Sequence, residues 1–197
     1  YRPSDKAPEV SPLPMLQGGP QAGRVTFGTF NNPAKLSPAT VACWSRLLLA
    51  LPGSRLLLGS QVLTDPLFRS RLRRRFERLG VPRRQLDLRA GVGDHRQHLL
   101  RYHEIDIGLD PFPYAGTTTT CESLWMGVPV LTLAGDRHAA RVGASILRRL
   151  DLDELAAADE ADFLARGAAL AGDPGRLAAL RAGLRRRFLA SPLADAR

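Results

Sequence analysis

From Arg24 onward the chain alternates short apolar runs with longer stretches of helical period, and that alternation constrains the fold more than any other feature. "RVTFGTF" (Arg24–Phe30), "SRLLLGS" (Ser54–Ser60), "RQLDLRA" (Arg84–Ala90), "DIGLD" (Asp106–Asp110) and "VPVLTLAG" (Val128–Gly135) read as strands. Helices are expected between and after them. Ser37–Leu51 opens with a capping Ser and a Pro, and Asp65–Gly80 opens with Asp-Pro and ends on Gly. Asp94–Ile105, Thr120–Gly127 and Arg141–Leu150 follow, then two more at roughly Glu160–Ala171 and Pro174–Ala190. A capping Ser or Asp satisfies free first-turn N–H groups, Pro has no N–H to waste there, and Gly accepts the left-handed turn that closes a helix. Continuous apolar strands separated by helices predict a parallel sheet covered on both faces. The expected fold is α/β, one doubly wound parallel sheet of five or so strands.

Residues 1–22 lack this rhythm. Pro3, Pro8, Pro12, Pro14 and Pro20 break any period, which predicts an extended linker or lead-in, with residues 23–197 forming the folded domain. The polar, proline-rich start is not a signal peptide, and its lack of an initiator Met suggests a fragment or processed chain. No apolar run approaches the ~20 residues that span a bilayer, so no membrane partner is expected. Cys43 and Cys121 are too few and too far apart for a disulfide framework or a zinc site. Reduced, buried thiols in an intracellular, cytoplasmic protein are the expectation.

The formal net charge of +9 raises the question of nucleic acid. The basic residues are nearly all Arg, with lysine only at Lys6 and Lys35, and that bias looks like a base-composition habit of the source. The clusters Arg69–Arg78 and Arg181–Phe188 both fall in helical patterns, and a solvated helix face is favoured over a nucleic-acid patch.

In doubly wound sheets ligands bind beyond the carboxyl ends of the strands, so the loops there carry the candidate chemistry. After the fourth strand, Gly116 and Thr117–Thr120 place a flexible backbone and four hydroxyls at a helix start. Free N–H groups and about half a positive charge make such a start an anion site, and a diphosphate is its natural occupant. A plain capping motif with Thr120 as the cap is the other reading. Glu122, in the first turn, is placed to accept from ribose hydroxyls. Lys35 lies in the loop after the first strand, beside Asn31 and Asn32, where it can neutralise a phosphate or stay a solvated lysine. His98 and Arg101 are three apart and share a helix face, fit for a base or phosphate. His95 and His103 read as surface residues, and His138 precedes a helix in an anion-compatible position. There is no P-loop, no strict Gly-x-Gly-x-x-Gly after the first strand, no clustered Ser/His/Asp elbow and no metal-ligand spacing.

"FGTFNNPAKLSP", "DIGLDPFPYAGTTTTCESLWMGVPVLTLAGDRHAARVGAS" and "SPLADAR" closely resemble the bacterial O-linked N-acetylglucosamine transferase family of the SPINDLY type. Several long motifs in fixed order carry the resemblance across the whole chain. It implies the Rossmann-like C-terminal lobe of a GT-B glycosyltransferase. The implied function is binding UDP-N-acetylglucosamine for inverting transfer of the sugar to Ser or Thr of a protein acceptor, with no metal or other cofactor. Lys35 then matches the lysine on the donor's diphosphate, where it stabilises the leaving group, and Asn32 a neighbouring polar position. His98 and Arg101 match the uridine side, Thr117, Thr118 and Thr119 the segment cradling the phosphates, and Glu122 the acid on the ribose. Thr117 stands where animal members carry His, and Gly59 where bacterial relatives commonly carry Lys. The family's N-terminal catalytic lobe and tetratricopeptide repeats are partners the resemblance implies. Two alternatives remain at this point: a GDP-fucose-dependent fucosyltransferase lobe, and a non-catalytic nucleotide-binding or interaction module.

Overall fold

The computed structural model describes residues 1, 3–18 and 22–195, so positions 2 and 19–21 of the expected lead-in lie outside the described residues. Six strands form one sheet: β1 (Thr26–Thr29), β2 (Arg55–Ser60), β3 (Leu86–Ala90), β4 (Ile107–Leu109), β5 (Val130–Leu133) and β6 (Ala156–Ala157). Seven helices connect and follow them: α1 (Pro38–Ala50), α2 (Pro66–Glu77), α3 (His95–Leu100), α4 (Thr118–Trp125), α5 (His138–Arg148), α6 (Glu160–Ala171) and α7 (Pro174–Leu189). Every strand pairing is parallel and the spatial order is β3-β2-β1-β4-β5-β6. The sheet therefore grows outward from β1 in one direction and then restarts on its other side, with Phe27 of β1 facing Leu56 of β2 and Ile107 of β4. The doubly wound expectation holds. The strand it overlooked is β6, two alanines with little β preference of their own.

The continuous apolar strands explain the two-sided burial. Leu56, Leu57 and Leu58 are all fully buried. Leu56 and Leu58 enter the large core with Phe27, Trp44, Leu47 and Phe163. Leu57, between them, points the other way into a smaller cluster with Phe30, Leu99, Tyr102 and Ile105. The caps fall where the sequence places them: the Ser37 and Asp65 side chains accept from the N–H groups of Thr40 and Leu67. The expected helix Asp94–Ile105 divides into α3 and a 3-10 turn, Arg101–Glu104.

Among the described residues before β1 there is one 3-10 turn, Pro14–Leu16, and this segment is fastened along the domain. Leu13 and Met15 are buried in the core, and the Met15 N–H donates to Asp106. Arg181, in the middle of α7, is 2% exposed. Its guanidinium donates to the Ser11 carbonyl and hydroxyl and to the carbonyls of Tyr102 and Ile105. Arg185 donates to the Pro8 and Trp125 carbonyls and lies 4.9 Å over the Trp125 ring. The solvated-face expectation for the Arg181–Phe188 cluster is thus corrected at Arg181 and Arg185, because a planar fork of donors can serve several orphan carbonyls at once. It holds for Arg71 and Arg74 on α2 and for Arg78 just after it, all exposed, but not for Arg75, which is part-buried and donates to the Leu36 carbonyl.

Candidate functional site

The carboxyl ends of β1 and β4 flank the switch point where the strand order reverses, and two loops meet there. After β1 the chain turns through Pro33–Lys35, a 3-10 turn capped by the Asn32 side chain on the Ala34 N–H. Lys35 Nζ then reaches across the crevice to donate to the Ala115 carbonyl at 3.0 Å, with Asn31 Oδ1 at 3.4 Å and the Tyr114 ring centroid 4.4 Å away. Asn31 Oδ1 also accepts from Thr119 Oγ1 at 2.9 Å. The loop after β4 is pinned to the start of α1, where Ser37 Oγ donates to the Phe112 carbonyl at 2.8 Å and the Phe112 N–H donates to Thr40 Oγ1 at 3.1 Å. Lys35 and the threonine turn are therefore held by one network.

α4 begins at Thr118 with Thr117 as its cap residue, and no side chain caps the first turn. The N–H groups of Thr118, Thr119 and Thr120 precede the first intrahelical donor, the Cys121 N–H on the Thr117 carbonyl, so helix geometry leaves them without an intrahelical partner. Thr120 is buried and its hydroxyl has no hydrogen-bond partner, which sets aside the reading of Thr120 as the cap. Thr117 and Thr118 are exposed and border a large open cleft of about 990 Å³, shared with His138 and Arg141 of α5.

A second concavity has its own lining. A recess of about 320 Å³ is lined by Phe30, Gly59, Gly91, His95, His98 and Arg101, among others. Glu122 is 5% exposed and sits three residues after Thr119, so α4 presents one residue to the crevice and the next to the recess wall. Its carboxylate meets His95 Nε2 at 2.9 Å and His98 Nε2 at 3.2 Å. Burial works to raise the Glu122 pKa, but the hydrogen bonds from His98 and His95 outweigh it and hold the carboxyl below its usual value. Phe30 packs edge-on against Tyr102 and His98, at 4.6 and 5.4 Å between centroids. Arg101 presents a buried Nη1 that has no hydrogen-bond partner.

Of the residues singled out from the sequence, His95, His98 and Arg101 line the recess, Thr117, Thr118 and His138 line the cleft, and Lys35, Thr119 and Glu122 are hydrogen-bonded near them, while His103 instead meets the Glu9 carbonyl. Asn32 is exposed and its Oδ1 is spent on the turn; its neighbour Asn31 is the one that joins Lys35 to Thr119. His95, read as a surface residue, is half-exposed yet bonded to Glu122. Its three-residue spacing from His98 is the signal that it shares that face. Gly59 has a local explanation. A Cβ there would come within 2.8 Å of the Phe30 ring, so the aromatic occupies the space a longer side chain would need.

Asp110, at the end of β4, was not singled out by its sequence context. It is 1% exposed. It accepts from the Gly116 N–H at 2.6 Å and from Thr132 Oγ1 at 2.9 Å. Burial pushes its carboxyl up to about 7 against those hydrogen bonds and the charge of Lys35. Burial in turn lowers the Lys35 pKa, with Asp110 opposing.

A doubly wound sheet with such a recess and an anion-ready helix start at its switch point has the architecture of a nucleotide-binding, Rossmann-like lobe. A solved mutant of the Thermobaculum terrenum O-GlcNAc transferase superposes on it with a TM-score of 0.83 at 37% identity, covering 97% of this chain and 36% of that one. The lobe is thus of the GT-B glycosyltransferase kind. The profile of glycosyl transferase family 41 matches residues 17–197, and the chain belongs to that family. Proteins named probable UDP-N-acetylglucosamine–peptide N-acetylglucosaminyltransferase SPINDLY are 41% identical over 195 residues in Arabidopsis thaliana and 42% in Solanum lycopersicum. Each comparison spans 99% of this chain, but only 21% and 20% of those relatives' length.

Proposed function

We propose that residues 23–197, with residues 1–22 as their lead-in, form the donor-binding lobe of an inverting glycosyltransferase. The enzyme would move N-acetylglucosamine from UDP-N-acetylglucosamine to Ser or Thr hydroxyls of proteins. The observation that carries this reading is the convergence of a base-sized recess, a lysine and a hydroxyl-rich helix start at one switch point. The names of the relatives support the choice of donor.

In this reading the base enters the recess beside Phe30, His98 and Arg101, where the unpartnered Arg101 Nη1 supplies a donor. The ribose lies at Glu122, whose carboxylate is kept charged by the two histidines. The diphosphate lies between Lys35 and the first turn of α4, met by the N–H groups and hydroxyls of Thr117, Thr118 and Thr119. Asn32 offers its remaining Nδ2 at the mouth. As the glycosidic bond breaks, negative charge gathers on the departing diphosphate, and preorganised donors stabilise it without having to move. Lys35 is the residue that does most of this, because its charge is held ready in a partly buried place. The acceptor hydroxyl and its base we assign to the catalytic lobe and tetratricopeptide repeats of the longer relatives. The compartment we assign is the cytoplasm, consistent with two buried free thiols. Among the described residues no helix is long and apolar enough to cross a membrane.

Titration calorimetry with uridine, UDP, UDP-N-acetylglucosamine, GDP and GDP-fucose tests the reading. Uridine nucleotides should bind and guanine nucleotides should bind more weakly. Preference for GDP-fucose, or no nucleotide binding at all, would overturn it.

A further inference from the structure

Asp110 is the one fully buried carboxyl at the switch point, and four elements close around it. Gly116 reaches it from the turn before α4, Thr132 from β5, Gly143 from α5 and Lys35 from the loop after β1. At Gly143 an added Cβ would overlap both Asp110 Oδ2 and Thr132 Oγ1, so the α5 backbone closes directly over the carboxyl. Its Oδ1 accepts the Gly116 N–H at 2.6 Å and lies 3.0 Å from where a Gly116 Cβ would stand. The turn that presents the threonines is thus moored to this carboxyl. Lys35 is the charged group that acts on it from the surrounding elements; the others offer a hydroxyl or backbone.

The geometry points to Asp110 as a positioning residue of the diphosphate site, one that moors the Gly116–Thr119 turn and takes up a proton when a diphosphate settles against Lys35. The inference rests on the donor-site reading above. Its physical basis is a conflict of charge. The charge of Lys35 favours the ionised form of Asp110, and an arriving diphosphate claims the same ammonium. A buried carboxylate left behind two phosphate charges is repelled by them with little solvent to screen it, and protonation relieves that cost. The carboxyl's elevation to about 7 means the proton is accessible near neutrality. Once protonated, Asp110 keeps both contacts: one oxygen still accepts from Gly116, and the new O–H donates to Thr132 Oγ1. Asparagine reproduces that neutral form, its oxygen on Gly116 and its Nδ2 donating to Thr132.

The test compares uridine with UDP-N-acetylglucosamine by calorimetry at pH 6 and pH 8 in parent, Asp110→Asn and Asp110→Ala. The sugar nucleotide holds the same diphosphate charge at both values. His95 and His98 line the recess and Glu122 is bonded to both, so comparing the two ligands as a ratio separates the recess from the diphosphate site. For the parent, the preference for the sugar nucleotide should fall about fivefold from pH 6 to pH 8, the part of a one-unit pKa displacement that this window spans. Asp110→Asn should keep the pH 6 preference at both values. Asp110→Ala should lose it at both, with uridine binding unchanged. Thr132→Val, which removes one hydrogen bond and leaves the Gly116 mooring, serves if Asp110→Ala does not fold; it should keep the preference and shift the pH at which it falls. An asparagine variant with the parent's pH dependence, or a pH-independent parent, overturns the proton uptake. An alanine variant with the parent's preference throughout overturns the mooring, and a Thr132→Val variant whose preference falls at the parent's pH overturns Asp110 as the group that takes up the proton. A parent that binds neither ligand overturns the donor-site reading itself, and this inference with it.

Discussion

Replacing Lys35 with alanine removes the one ammonium that reaches the switch-point crevice, and the structure allows its effects on binding and on folding to be separated. In the folded chain Nζ serves the Ala115 carbonyl at 3.0 Å and, weakly, Asn31 Oδ1 at 3.4 Å. Asn31 keeps its bond from Thr119, whereas the carbonyl of the buried Ala115 loses a donor. The loss of fold stability should therefore be ~1 kcal/mol, the low end of the cost of an unsatisfied acceptor. The loss of UDP affinity should be larger, because the ammonium is partly desolvated and aims at a place where two phosphates would lie. A hydrogen bond to a charged group contributes ~1.5–3 kcal/mol, or roughly ten- to hundredfold in affinity. Arg74→Ala is the matched control. Arg74 is exposed on α2 and forms no ion pair among the described residues, so its removal should leave UDP affinity within a factor of about two. Calorimetric titration of UDP and uridine into both variants and the parent, at low salt and up to millimolar nucleotide, reads this directly. Lys35→Ala should weaken UDP and leave uridine unchanged. If all three proteins bind UDP with indistinguishable isotherms, the assignment of Lys35 to the diphosphate is wrong.

Arg181→Ala should lower stability by ~3–5 kcal/mol, since it leaves a void and strips donors from the Ser11, Tyr102 and Ile105 carbonyls; chemical denaturation measures this, and Arg181→Lys should rescue little because an ammonium cannot span three acceptors in one plane. Gly59→Ala should destabilise by ~1–3 kcal/mol and weaken uridine and UDP alike, because its Cβ forces the Phe30 ring toward the recess; unchanged uridine affinity would refute that. The Asp110 carboxyl, raised from 3.8 to about 7, should make stability depend on pH. A pKa raised by folding contributes stability that is complete below the unfolded value and is lost as pH rises through the folded one, so stability should fall between about pH 4 and 7, by ~4 kcal/mol at most. Asp110→Asn should flatten that slope in urea melts at pH 4.5 and 7.5. Glu122→Gln keeps one acceptor oxygen and turns the other into a donor, so it disturbs one of the two histidine contacts, and should weaken uridine binding and loosen α3, read by amide exchange across His95–Leu100.

Much of this protein can be read from local sequence because its rules are local. The Pro-led starts of α1 and α2, the Ser37 and Asp65 caps and the continuous leucines of β2 determine helices and buried strands wherever they stand. Their alternation then leaves a covered parallel sheet as the outcome, with every loop after a strand on one edge. That is why Lys35, the threonines, His98 and Glu122 stand out in the sequence itself. Distance along the chain hides the rest. Asp110 matters because Gly116, Thr132, Gly143 and Lys35 close around it, and no spacing announces that a strand-end acid will be dry. Asn31 rather than Asn32 faces Thr119 because the 3-10 turn at Pro33–Lys35 spends one amide on its own cap. Arg181 resembles its solvated neighbours in sequence, and only the path of residues 8–15 along α7 buries it. Pattern determines which face an element turns inward, but charge, burial and pKa depend on what other elements bring to that face, and this chain assembles those neighbours from far apart along its length.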